Sequence, residues 1–307
     1  MRATLPSFVA LHRGCRSSFS AVLGAALLLA GAGAAGAEPE VVWHVFNLPP
    51  LYIVDGERKG EGIVDQALQR QLLPALSGYR HRIVEVPLQR LELTIKIEPQ
   101  ACALGLLKNP EREKTMLFSI PFLAQIPPGV LVRGTDRERV APYLERSGKL
   151  SLSKLLADGR LVVGVGSARS YGATIDQLLA PYKGKSNLFT SFATRPAQSL
   201  LQMEALGRVD VVPGFPYEAA YLGIATGEGA RALRFYPLAE QPDFILGHAV
   251  CAKTEFGAEV ISAIDAVLRK RAVQDAIAGY YESWLDDESR GLAQRLRKQL
   301  VVPAPRN

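Results

Sequence analysis

Signatures of known chemistry are sparse in this sequence. No Walker A loop and no G-x-S-x-G elbow occurs, which removes the usual grounds for a P-loop nucleotidase or an α/β-hydrolase. Gly164-Val165-Gly166-Ser167-Ala168-Arg169 has two of the three glycines of a dinucleotide loop, but Arg169 stands where the third belongs. His44, His81 and His248 lie far apart without metal-ligand spacing, so neither a metal nor a cofactor is expected. Excess charge is also lacking. Beyond position 37 there are 33 basic and 30 acidic side chains, a formal +3 that argues against a nucleic-acid partner, which calls for a clustered basic face. Past the amino-terminal segment no uncharged apolar run approaches 18 residues, which excludes a polytopic membrane protein. Cysteine is scarce: Cys15, Cys102 and Cys251.

The first 37 residues contain no acid. They carry Arg2, Arg13 and Arg16, then an apolar run from Phe19 to Ala30, then a small-residue stretch ending Ala35-Gly36-Ala37. This is the order of a secretory signal peptide, and it predicts cleavage after Ala37 and a periplasmic mature chain. The rival is a retained anchor, because Ser17 to Ala37 is uncharged. Ala and Gly dominate its second half, however, and insert poorly. Cys15 precedes the apolar run, whereas a lipid-modified cysteine would follow it. Cys102 and Cys251 remain as an even pair in an oxidising compartment, open to a disulfide or to two buried thiols. At 48% hydrophobic, the chain can build a real core.

Hydrophobic spacing alternates between strand and helix. Val41–Phe46, Arg82–Val86, Ala101–Leu107 and Val130–Arg133 read as strands, with helices over Gly62–Leu76 and Leu88–Ile97. A charged connector, Asp136–Lys149, precedes a second alternating block. There Arg160–Val165, Val209–Val212, Leu233–Tyr236 and His248–Ala252 read as strands. Helices are expected at Ser153–Ala157, after Ser170, at Pro196–Leu206 and at Tyr217–Leu222. Val260, Ile261, Ile264, Val267 and Leu268 mark a long amphipathic helix, and Asp286–Leu300 a charged helical tail. Two βα blocks joined by a connector predict an α/β fold with mostly parallel sheets flanked by helices.

The stretch Gly105-Leu106-Leu107-Lys108-Asn109-Pro110-Glu111-Arg112, continuing through Phe118-Ser119-Ile120-Pro121-Phe122, resembles the extracellular solute-binding proteins of family 3. Asn47-Leu48-Pro49-Pro50-Leu51-Tyr52 is similar to that family's opening loop, and Gly207-Arg208-Val209-Asp210 to its G-R-x-D turn. Cys102, Tyr217-Glu218, and Cys251 before Lys253-Thr254 look closer to a little-characterised branch of it. The resemblance implies a two-lobed type II periplasmic-binding-protein fold with two hinge crossings. Residues 38–134 with 247–307 would form lobe 1, and 135–246 lobe 2. It also implies that Arg112 clamps a ligand carboxylate. Asn47, Tyr52, Ser167, Arg169, Ser170, Tyr217 and Glu218 complete the expected ligand-binding set. Two departures matter: the position of the family's threonine is Leu107, and that of its ammonium-accepting acid is Phe215. An ordinary L-amino acid is therefore disfavoured, unless Glu218 supplies the charge from a shifted position.

Physical chemistry points the same way for Arg112 and the Ser167–Ser170 loop. Both follow strands, one in each block, and ligands of open α/β sheets bind at the carboxyl ends of strands. Arginine offers a planar fork to carboxylate or phosphate, and free backbone N–H groups ahead of a helix attract anions. In the implied fold the returning strand pairs antiparallel beside the strand of Cys102, which brings Cys251 within bridging distance. Such a disulfide would close a loop of about 150 residues, with a stabilisation of about 4–5 kcal/mol in the chain-entropy model.

The expected function is capture of a small polar, carboxylate-bearing molecule by a monomer, for delivery to an ABC permease or a signalling receptor. The alternative is a dehydratase-like lyase on the same scaffold using Glu218 as its cleft carboxylate. A third reading is an interaction module whose cleft is vestigial.

Overall fold

The computed structural model describes residues 38–167, 169–193, 196–226 and 233–299. The expected leader and its cleavage point lie outside the described residues. The first strand, β1 (Glu40–Val45), has five of its six residues buried, as befits an apolar run in the interior of a sheet. It pairs parallel with β2 (Arg80–Glu85) on one side and with β3 (Ala101–Leu107) on the other. Between β1 and β2 the helix expected from Gly62 divides into α1 (Ile63–Gln66), a π-helical segment (Ala67–Leu72) and α2 (Leu73–Ala75). Asp65 fastens its start, accepting from the backbone N–H groups of Ile53 at 2.7 Å and Gly62 at 3.2 Å. The helix α3 (Leu88–Ile97) buries Leu91 and Ile95, four residues apart on one face.

After β3 come the short α4 (Pro110–Glu113) and β4 (Met116–Gln125). The late strand β10 (Ile245–Ala252) returns between them, antiparallel to both β3 and β4. The sheet order is β2-β1-β3-β10-β4, so four of its five strands run one way. Across the β3–β10 pair Cys102 stands opposite Cys251, and a disulfide joins them with Cα atoms 4.1 Å apart. Behind this sheet, α10 (Glu255–Leu268) buries all five residues of its expected apolar stripe and is capped by Thr254, whose hydroxyl accepts from Gly257 N–H at 2.9 Å. The helices α11 (Arg271–Glu282) and α12 (Asp287–Gln299) follow.

The second sheet repeats this plan. The strand β5 (Gly129–Arg133) opens it, and after α5 (Arg137–Val140) and α6 (Leu152–Asp158) comes β6 (Val163–Gly166). Next are α7 (Ala173–Leu179), β7 (Leu188–Ser191), α8 (Pro196–Ala205), β8 (Val212–Gly214), α9 (Pro216–Thr226) and β9 (Leu233–Tyr236). β6 pairs parallel with β7, while β5 pairs antiparallel with both β8 and β9. A parallel bridge between Val163 and Val211 stitches the two groups together. The resulting order, β7-β6-β8-β5-β9, matches the first sheet position for position, with β5 in the place of β10.

That pairing moves the crossings. Val130–Arg133, expected to end the first lobe, pairs instead with β8 and β9, because its apolar residues meet Val212 and Phe235 there. The chain therefore passes to the second sheet at Ile126–Pro128 rather than near Gly134, and it returns between Tyr236 and Ile245. Gly129 is required at the first crossing, since a Cβ there would run into the Tyr236 carbonyl. All these elements belong to one compact unit starting at Pro39, and its main apolar cluster includes residues of both sheets.

Candidate functional site

The carboxyl ends of the parallel strands carry most of the expected residues. Asn47 follows β1 and is exposed. Past β3, α4 is capped by Asn109, whose side-chain oxygen accepts from Arg112 N–H at 2.8 Å. This brings the Arg112 guanidinium back over the strand end. There it donates to the Leu107 carbonyl at 2.7 Å and, through Nε and Nη2, to Glu92 of α3 at 2.9 and 2.7 Å. The side chain stays 24% exposed. Glu92 carries no sequence motif, so its partnership with an arginine 20 residues away appears only in the folded chain.

In the second sheet, the ends of β6 and β8 bring Arg169 and Glu218 together. Arg169 Nη2 donates to Glu218 Oε1 at 2.5 Å, while Glu218 Oε2 accepts from Phe215 N–H at 3.2 Å. Both carboxylate oxygens are thus engaged, in side chains only 17% and 6% exposed. Gly214 makes room for this approach, because a Cβ there would lie 2.6 Å from Glu218 Oε2. Burial acts to lower the Arg169 pKa, but the adjacent Glu218 carboxylate and Tyr171 outweigh it and raise it. The guanidinium also lies 4.9 Å from the centre of the Tyr171 ring. Tyr171 was not foreseen; its hydroxyl accepts from Gly166 N–H at 3.0 Å and so fixes the end of β6.

Tyr217 is buried, stacked on Phe215 at 5.0 Å and edge-on to Tyr281 of α11 at 6.1 Å. Its hydroxyl has no hydrogen-bond partner, and burial pushes its pKa well up. A buried hydroxyl left in this way favours any group that brings it an acceptor or donor.

Other expected residues are used locally. Ser167 is exposed, and its backbone N–H donates to the Ser191 carbonyl at 2.9 Å. Ser170 donates to Asp176 at 2.5 Å, and Asp176 also accepts from Tyr171 N–H at 2.9 Å. The anion-attracting N–H group ahead of α7 is therefore already served by a carboxylate of that helix. Tyr52 is a core residue: it is fully buried against Phe46, and its hydroxyl bridges the N–H and the carbonyl of Leu104, both at 3.3 Å. With its polar atom spent on β3, it does not present a binding group. Among the described residues no group of three or more His, Cys, Asp or Glu stands close enough to hold a metal ion. Likewise, no helix among them is long and apolar enough to cross a membrane.

No family model matches the chain, and no curated protein matches it in sequence. Solved structures do. An ancestral amino-acid-binding protein, AncCDT-1, described as a precursor of cyclohexadienyl dehydratase, aligns with a TM-score of 0.54 at 15% identity over 81% of this chain and 96% of its own. The GluR0 ligand-binding core in complex with L-glutamate aligns with a TM-score of 0.56 at 15% identity, over 82% of this chain and 100% of its own. The VFT2 domain of Bordetella pertussis BvgS aligns with a TM-score of 0.52 at 18% identity, over 80% and 93%. With the paired five-strand topology, these likenesses show that the chain has the two-lobed type II periplasmic-binding-protein fold.

Proposed function

We propose that this chain is an exported ligand-binding protein of the periplasmic type, which captures a small carboxylate-bearing molecule between a lobe built on each sheet. The observation that carries this reading is the state of Arg112. It stands at the carboxyl end of a parallel strand, held by Glu92 and the Leu107 carbonyl, and remains partly exposed. Those three bonds leave two of the five guanidinium N–H groups for a ligand oxygen. From the second lobe, Arg169, Glu218 and the unpartnered Tyr217 hydroxyl complete the site. Because Arg169 already neutralises Glu218, this side is poorly suited to receive an ammonium group, so the ligand differs from an ordinary amino acid.

Delivery to an ABC permease and signalling through a membrane receptor both fit, since an amino-acid-binding protein and a histidine kinase sensor domain share the fold. The expected leader at residues 1–37 would place the mature chain in the periplasm, where it would act as a monomer. A lyase is the alternative, because the fold includes a dehydratase precursor. It would require Glu218 to leave both of its present partners.

A thermal-shift screen of residues 38–307 against carboxylates, amino acids, peptides and phosphates, run beside Arg112→Ala, tests the reading. A ligand at a hundred times its Kd adds about 2.7 kcal/mol to the native state. The expected result is a carboxylate hit that the variant loses and that is recovered unchanged after incubation. No hit, with both proteins melting cooperatively, would remove the carboxylate clamp; conversion of the hit would establish the lyase.

A further inference from the structure

The chain passes between its sheets twice, and one cavity has both passages in its wall. It is a partly open pocket of about 210 Å³, and neither Arg112 nor Arg169 lines it. Pro127 and Pro128 of the first passage and Pro237 and Pro242 of the second line it, together with Phe235 and with Leu292 of α12. Proline rings and a phenylalanine present flat apolar faces, the surface on which an aromatic ring packs best. An apolar cavity of about 150 Å³ is large enough for benzene, so this one has room for a single ring and one polar substituent.

The charges at the rim decide what that substituent is. Lys149 is neutralised by Asp243 at 2.7 Å, and Glu288 lies 3.7 Å from Arg234. Arg295, which lines the same cavity, has no carboxylate partner among the described residues. An unpaired guanidinium beside an apolar space selects an anion with an apolar body, and its planar fork suits a carboxylate.

We propose that this cavity is a second ligand site, taking a single-ring aromatic carboxylate with its ring among the prolines and Phe235 and its carboxylate on Arg295. Both passages form its walls, so an occupant resists their relative displacement. It is thereby linked to any opening or closing of the lobes, in either direction and by the same factor.

Benzoate is the probe, with benzyl alcohol and cyclohexanecarboxylate as controls, followed by calorimetric titration and by amide hydrogen exchange. Benzoate should bind saturably, more tightly than cyclohexanecarboxylate, and should protect the amides of residues 238–241 and 292–296. Arg295→Gln, at an exposed position, should weaken benzoate about tenfold or more, the range of one charge-assisted hydrogen bond, and leave benzyl alcohol unchanged. Leu292→Trp, which fills the cavity, should abolish both. Absence of saturable binding would overturn the proposal, as would affinity indifferent to both variants. Protection confined to residues 107–112 would also overturn it, placing benzoate at the site of Arg112 instead and leaving the proposed function standing.

Discussion

Reducing the Cys102–Cys251 bond is the perturbation whose size follows most directly from the structure. The two residues are 149 apart in sequence, and the loop between them contains the whole second sheet. Closing a loop of that length removes about 17 cal/mol/K from the unfolded ensemble in the chain-entropy model, or about 5 kcal/mol at 25 °C. The folded state gains little by comparison, because β3 and β10 are already paired through their backbones with Cys102 and Cys251 in register. The stabilisation therefore resides in the unfolded chain. Against a typical total of about 5–15 kcal/mol, that is about a third or more of the whole stability.

Both sulfurs are buried, so dithiothreitol should reach them mainly through unfolding. The protein is best reduced in urea, refolded under dithiothreitol and compared with the oxidised form by equilibrium urea denaturation. Reduction should lower the free energy of unfolding by about 4–5 kcal/mol and raise the m-value, since a chain without the crosslink exposes more surface when unfolded. Cys102→Ala with Cys251→Ala should resemble the reduced protein and lose somewhat more, because two buried sulfurs also disappear. A difference between oxidised and reduced protein below about 1 kcal/mol, well under the range for native disulfides, would refute the loop argument.

Three further outcomes are expected. Glu204 is fully buried with neither oxygen hydrogen-bonded, and burial pushes its pKa up to about 8. Between the ordinary carboxylate range and that value the native state holds a proton that the unfolded chain releases, so stability falls as pH rises through this window. The slope is at most about 1.4 kcal/mol per pH unit for one group. Glu204→Gln should flatten the urea-derived stability profile between pH 5 and pH 8, and an unchanged slope would assign the proton elsewhere. Arg169→Ala leaves the Glu218 carboxylate buried and short of its ion partner, which should cost about 3–5 kcal/mol, while Arg169→Met with Glu218→Gln should recover most of it. A single variant as stable as the parent would show that the pair is not desolvated. Tyr52→Phe strips Leu104 of the hydroxyl that serves both of its backbone groups and should cost about 1–3 kcal/mol in urea denaturation; a neutral result would mean that those groups find other partners.

The elements that could be read from the sequence are those whose signal is local. Leu88–Ile97, Ala101–Leu107 and Leu233–Tyr236 form the expected elements with the expected bounds, because a helical stripe or a continuous apolar run needs no distant partner to be recognised. The ten-residue β4 carries a weak strand signal, because Pro121 in its middle cannot donate to a ladder. The sheet order resolves the conflict by placing β4 at the edge, where a missing N–H is tolerated. The signal of β7 is weak as well, because it is four residues long with Phe189 turned outward. Val130–Arg133 reads as a strand from its sequence but its sheet does not, since strand propensity carries no information about which partner a strand will find.

The same division runs through the site. Arg112, Arg169 and Glu218 could be singled out by residue type and by position after a strand, but their partners could not. Glu92 is 20 residues from Arg112, and Glu218 is 49 from Arg169. Those pairings decide the chemistry, because an arginine already neutralised in a buried pair offers a ligand less than one that keeps exposed N–H groups. Arg112 is the second kind, and Arg169, with Glu218 bound on both oxygens, is the first. In the proposed site, ligand selection by charge would therefore fall mainly to the first lobe, and the second would contribute shape through the Phe215–Tyr217 stack and an unpartnered hydroxyl. Tyr217→Phe should then alter which carboxylate binds more than how strongly carboxylates bind as a class, whereas Arg112→Ala should remove the class. Repeating the thermal-shift screen on both variants separates the two. Equal losses across every carboxylate in Tyr217→Phe would contradict this division of labour.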